Sequence, residues 1–89
     1  MRNRETELEE FIIEYDYFGL SSSAEVKKGQ WRSEPYYKCI LHSSAQEIDI
    51  KQVKDEGAIY WIDMSVGHTT PLSQILGQAI ENKLSSYYI

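Results

Sequence analysis

The sequence predicts an α+β fold: a small antiparallel sheet of three to four strands flanked by an N-terminal and a C-terminal helix, in the order α-β-β-β-(β)-α. Three observations carry that prediction. Apolar residues recur at helical spacing near both ends of the chain, alternate with polar residues through its middle, and are divided there by proline- and glycine-bearing turns. The 89 residues are read as a single small globular domain, 1–89, because a chain this short builds one core and leaves nothing for an interdomain cleft.

The first helix is expected from Thr6 to about Phe18. Leu8, Phe11, Ile12, Tyr15 and Phe18 fall three and four apart, while Glu7, Glu10 and Glu14 lie on the other side. Asn3 or Thr6 would cap its start, where glutamates suit the positive end of the helix dipole, and Gly19 would end it. The serine-rich stretch from Leu20 to Ser23 reads as a connection.

The strands follow. Residues 24–31 form a short polar strand, and Arg32 to Pro35 a turn, since Pro35 cannot donate to a sheet ladder. Tyr36 to His42 has the length and residue types of a strand, closed by Ser43, Ser44 and Ala45. Residues 46–53 alternate at Ile48 and Ile50, and Lys54-Asp55-Glu56-Gly57 is a hairpin signal leading into a strand from Ala58 to Val66. The pleat of that strand sets Tyr60, Ile62, Met64 and Val66 on one face and Ile59, Trp61, Asp63 and Ser65 on the other. With the first set facing the helices, Trp61 and Ile59 point to an open sheet face.

Thr70-Pro71 is a helix entrance, a capping threonine before proline at the first helical position. Leu72, Ile75, Leu76, Ala79, Ile80 and Leu84 then repeat at helical spacing. Gly77 weakens this helix or lets it approach the sheet closely. Residues 85–89 are read as a frayed tail or an added edge strand.

Charge limits the partners. The chain carries nine basic and fourteen acidic side chains, a net charge of -5, and residues 1–20 hold two of the basic and six of the acidic ones. Such a balance opposes attraction to phosphate backbones and anionic lipid, so a general nucleic-acid or membrane partner is disfavoured. No apolar run approaches the roughly 20 residues that span a bilayer. The opening MRNRETELEE lacks the apolar core of a signal peptide. Cys39 is the one cysteine, which suits a reducing cytoplasm.

The patterns for chemistry are weak. Cys39, His42 and His68 are the only thiol and imidazole groups, and Cys39 and His42 point to opposite faces of a strand, so no metal site is expected. Asp63, Ser65 and His68 could approach one another, but no strained nucleophile turn accompanies them. The five glycines are isolated, without a phosphate-cradling pattern. No catalytic residue and no cofactor are therefore assigned.

The compositional excess is aromatic: seven tyrosines, two tryptophans and two phenylalanines. In the adjacent pairs Tyr36-Tyr37, Tyr60-Trp61 and Tyr87-Tyr88, an extended chain can turn only one member to the core. The expected function is thus an acidic protein-binding module that occupies a basic surface of a partner such as a nucleic-acid-processing enzyme. Glu7, Glu10 and Glu14 would form a carboxylate row on the first helix, with Glu10 and Glu14 about 6 Å apart. Tyr37, Trp61, Tyr87 and Tyr88 would supply apolar anchors. Small inhibitors and immunity-type proteins share this size and charge, and a phage or other mobile element would suit such a chain. The competing reading is a self-assembling structural or accessory subunit, a homodimer or larger, with no catalytic role.

Overall fold

A computed structural model of the chain describes residues 9–87. It contains five strands and one helix in the order β-β-β-β-β-α: β1 (Glu10–Tyr17), β2 (Leu20–Trp31), β3 (Glu34–Leu41), β4 (Glu47–Asp55), β5 (Ala58–Asp63) and α1 (Pro71–Tyr87). Every strand pairs antiparallel with its neighbour in sequence, giving the spatial order β1-β2-β3-β4-β5. The helix packs against β1, β4 and β5, so the sheet must curl to bring both of its outer strands to one helix. The result is a half-barrel closed over by α1.

The expected N-terminal helix is overturned. From Glu10 to Tyr17 the chain is a strand, and the rest of the expected segment, Thr6 to Leu8, lies outside the described residues. Its side chains obey a period of two: Phe11, Ile13 and Tyr15 are buried and Glu10, Ile12, Glu14 and Asp16 exposed. Five β-branched or aromatic residues, Phe11, Ile12, Ile13, Tyr15 and Tyr17, favour that outcome. Residues 20–23 are likewise not a connection, because they pair with β1 as the start of β2.

Three two-residue hairpins set the registers. Phe18-Gly19, Arg32-Ser33 and Glu56-Gly57 each have positive φ at both central residues, the signature of the type I′ turn that suits a right-twisted strand pair. The hairpin expected at residues 54–57 is thus present. Arg32 (φ 54°) and Ser33 (φ 68°) reach the same geometry with no glycine. Pro35, expected in the turn, is the second residue of β3. The β3–β4 ladder runs only from Tyr37↔Ile50 to Ile40↔Glu47, so the N–H that Pro35 lacks removes no bond from it.

The core is the concave face of the sheet under the helix. Phe11, Ile13, Tyr15, Ala24, Val26, Cys39, Leu41, Ile48, Ile50 and Trp61 meet Leu76 and Ile80, with Leu72, Ile75, Ala79 and Leu84 packed around them. All six apolar positions expected on the helix therefore take part. Its entrance is a reciprocal cap: Ser73 N–H donates to Thr70 Oγ1 at 2.9 Å, and Thr70 N–H donates to Ser73 Oγ at 2.9 Å. The helix continues past the expected end, through residues 85–87.

The last strand is shorter than expected and faces the other way. It stops at Asp63, and residues 64–67 form a turn. Trp61 is only 4% exposed and lies under α1, while Tyr60 and Ile62 take the outer face. A Cβ placed on Gly77 would lie 2.0 Å from Trp61 Cγ, so the glycine makes a slot for the indole. That slot, 16 residues further along the chain, decides which face of β5 is buried.

Candidate protein-binding surface

The residues expected to bind a partner do not come together on one surface. Glu7 and Tyr88 lie outside the described residues, and Tyr87 is the last residue of α1. Glu10 and Glu14 are both exposed on the outer side of β1. Along a strand, four residues span about 13 Å and not the 6 Å of a helical turn. Between them stands Ile12, itself 48% exposed.

Tyr37 and Trp61 do meet, but inside the fold. Their ring centroids are 5.6 Å apart, and Phe11 stands edge-on to Tyr37 at 6.5 Å. Trp61 is tied down on three sides. Its backbone N–H donates to Gln74 Oε1 at 2.7 Å, its indole N–H to Glu81 Oε2 at 2.5 Å, and its carbonyl accepts from Ser73 Oγ at 2.8 Å. These two rings wall a groove of about 590 Å³ that Gln52, Glu81, Leu84 and Pro35 complete. It opens where the β3–β4 ladder ends. The outward partners of the aromatic pairs are half-buried: Tyr36 lies over Gly29, and Tyr60 donates to Asp55 Oδ2 at 3.1 Å, which raises the pKa of its phenol.

The free apolar surface lies elsewhere, at the turns. Phe18 is 79% and Leu20 71% exposed at the β1–β2 tip, with Tyr17 against Phe18 at 4.5 Å. Trp31 is exposed at the β2–β3 tip, with the Arg32 guanidinium 4.5 Å over its ring. Phe18 holds φ 50° while almost wholly in solvent. A bulky residue there costs conformational energy that asparagine or glycine would not. Reasoning from sequence missed these residues because it read Phe18 as a buried helical position. The Phe18-Gly19 pair between two alternating stretches was the available signal.

Electrostatics divide the outer face. On β3 and β4 the charges are matched: Lys38 Nζ lies 3.1 Å from Asp49 and 3.4 Å from Glu47, and Lys51 Nζ 2.6 Å from Glu34. The hydrogen bond to Asp49 raises the pKa of Lys38, and the one from Lys51 lowers that of Glu34. On β1 and β2, Glu10, Glu14, Asp16 and Glu25 form no ion pair among the described residues. A shallow depression of about 650 Å³ there is lined by Glu14, Asp16 and Ser21 to Ser23. The result is a carboxylate surface ending in an apolar tip.

Of the groups weighed for chemistry, Asp63 and Ser65 meet and Asp63 pairs with the backbone of His68, but the imidazole is bonded elsewhere. Ser65 Oγ donates to Asp63 Oδ1 at 2.7 Å, while Nδ1 of His68 lies 2.8 Å from the Thr69 carbonyl, so Ser65 has no imidazole beside it in this arrangement. Cys39 is buried, and desolvation pushes its thiol up to about 12. His42 is exposed, with Nδ1 2.7 Å from Ser23 Oγ. Among the described residues no three of histidine, cysteine, aspartate and glutamate gather as metal ligands, and no helix is long and apolar enough to cross a membrane.

No family model, no curated protein and no solved structure matches the chain.

Proposed function

We propose that this chain is a protein-binding module without catalysis of its own, which acts by occupying a basic surface of a partner as an inhibitor or immunity-type protein does. The observation that carries the reading is the β1–β2 surface. Glu10, Glu14, Asp16 and Glu25 form no ion pair there among the described residues, Lys27 standing in register with Glu10, and the exposed Phe18 and Leu20 lie at one end. Unmatched carboxylates steer a cationic partner and fix its register, and a desolvated aromatic at the rim supplies affinity. A reducing compartment fits a chain whose single thiol is buried.

The anchors differ from those named by sequence. Phe18 and Leu20 replace Trp61 and Tyr37, which hold the core together. The test is a quantitative pull-down with wild type beside Glu10→Gln/Glu14→Gln and beside Phe18→Asn, which keeps the turn geometry. A basic protein retained by wild type, lost at high salt and lost by both variants is the expected result. Equal recovery by all three baits removes the surface. Recovery of the chain alone favours the self-assembling subunit.

A further inference from the structure

The two edges of the sheet are treated differently. From Trp61 to Asp63 the outward backbone groups of β5 are engaged: Trp61 N–H by Gln74, Trp61 C=O by Ser73, and Asp63 N–H by the carbonyl of His68 at 3.0 Å. On β1 they are open. The bond from Lys28 N–H to Glu9 C=O, 2.8 Å, fixes the alternation of the antiparallel ladder. Phe11, Ile13, Tyr15 and Tyr17 therefore bond to β2, while Glu10, Ile12, Glu14 and Asp16 direct N–H and C=O away from the sheet. No backbone group among the described residues meets them.

That open edge borders a cleft. Ile12, Ile13 and Glu14 form one wall and Ala79, Asn82, Lys83 and Ser86 of α1 the other, around about 440 Å³. A strand edge beside a helix is the arrangement that admits an extended peptide as an additional strand, with backbone bonds giving affinity and alternate side chains giving specificity.

We propose that β1 is a docking edge for an extended basic segment of another protein, which adds as a sixth strand along the free edge of β1, beside α1. This rests on the protein-binding reading above and names the chemistry of the partner. The pleat of an added strand places alternate side chains on the outer face, opposite Glu10, Ile12 and Glu14. The complementary pattern is a cation, any uncharged residue, an apolar residue, any uncharged residue and a cation. The two intervening side chains face Ala79, Asn82, Lys83 and Ser86, where Lys83 disfavours a further cation. A second copy of this chain fits poorly: an antiparallel β1–β1 pair centred on Ile12 sets Glu10 opposite Glu14 at both ends, acid against acid.

The probe is a synthetic nine-residue peptide of threonines carrying Lys, Ile and Lys at alternate central positions, with a control in which both lysines are Glu. It is titrated into the full chain while amide hydrogen exchange is read residue by residue. In the free protein, checked for its oligomeric state by light scattering, the amides of Ile12 and Glu14 are expected to exchange fast. The lysine peptide protects them and leaves Phe11, Ile13 and Tyr15 unchanged, whereas the glutamate peptide does nothing. Glu14→Pro deletes one outward donor without touching the β1–β2 ladder; because it also deletes a carboxylate it is read against Glu14→Gln, relative to which it weakens the peptide about a further tenfold. Glu10→Gln/Glu14→Gln weakens it and flattens its salt dependence.

The proposal is overturned if the lysine peptide fails to bind, if it binds without protecting Ile12 and Glu14, or if the control binds equally. Protection of these amides in the free protein also overturns it, because the edge is then already covered by residues 1–8 or by a second copy. The wild-type exchange pattern decides even if Glu14→Pro does not fold. A basic partner whose capture falls with Glu14→Gln and falls no further with Glu14→Pro leaves the protein-binding reading standing and removes only the edge. Loss of neither by the glutamine variant removes both.

Discussion

Gly77→Ala tests the packing of α1 most directly, because two opposed effects of different size meet at one atom. Alanine gains about 1 kcal/mol of helix propensity over glycine. Its Cβ, however, would stand 2.0 Å from Trp61 Cγ and 2.3 Å from Cδ1 and Cδ2, where carbons need about 3.5–4.0 Å. The helix or the indole must move by roughly 1.5–2 Å. If the helix recedes, Leu76 and Ile80 lift from the core. If the indole swings, its bond to Glu81 breaks. Overpacking of this kind costs about 1–3 kcal/mol and the lost hydrogen bond about 1 more, so against the gain in propensity the variant should be about 1–3 kcal/mol less stable. For a domain of this size that is a fall in Tm of roughly 5–20 °C by circular dichroism, with the stability itself measured by urea titration. In a Trp61→Leu background the same substitution should be neutral or stabilising by about 1 kcal/mol. A Gly77→Ala protein as stable as wild type would refute the slot.

Thr70→Ala removes the cap of α1 and should cost about 1 kcal/mol in urea unfolding, with Thr70→Ser close to neutral. Phe18→Asn gives the first hairpin its preferred residue and should stabilise by about 0.5 kcal/mol while weakening partner capture, so thermal melting and pull-down move in opposite directions. Cys39 should stay unmodified by a thiol reagent in the native state and react once urea unfolds the chain. Its raised pKa also makes stability pH-dependent. The folded thiol keeps its proton up to about 12 while the unfolded one loses it near 9, so the unfolded state binds fewer protons between those values and stability falls by about 1.4 kcal/mol per pH unit across that window. Urea titrations at pH 8 and pH 10 should show a difference between the two pH values that is smaller in Cys39→Ala.

The C-terminal half was more legible than the N-terminal half because its signals are local and redundant. Thr70-Pro71 marks the entrance of α1 chemically, and six apolar residues then keep one period over three turns. Glu56-Gly57 marks a hairpin in the same way. In β1 the apolar positions fit periods of two and of 3.6 alike, because Ile12 and Ile13 are both apolar and Glu10 and Glu14 stand one helical turn apart in number. Only pairing with β2, a tertiary fact, chooses between them. The face of β5 was ambiguous for a related reason, since both of its faces are apolar and the choice was made by the Gly77 slot. Arg32-Ser33 carries no turn signature of its own; the turn expected over residues 32–35 rested on Pro35, which lies in β3, and the registers of β2 and β3 confine it to Arg32-Ser33. Of the carboxylates of the candidate surface Glu10 and Glu14 were named, but in a helical row with the wrong spacing, and Asp16 and Glu25 were not.

The order of elements along the chain also governs how the molecule is made. A ribosome delivers all five strands before the one helix that covers them, and each strand can pair with its predecessor as it emerges, through connections of two to five residues. The sheet can therefore assemble during synthesis, but it does so with its inner face bare. Ile13, Val26 and Ile50, each no more than 2% exposed in the finished fold, have no cover until Leu76 and Ile80 arrive. A nascent chain paused before Pro71 presents a curled apolar trough and an open strand edge together, which is the form most prone to chaperone capture and proteolysis.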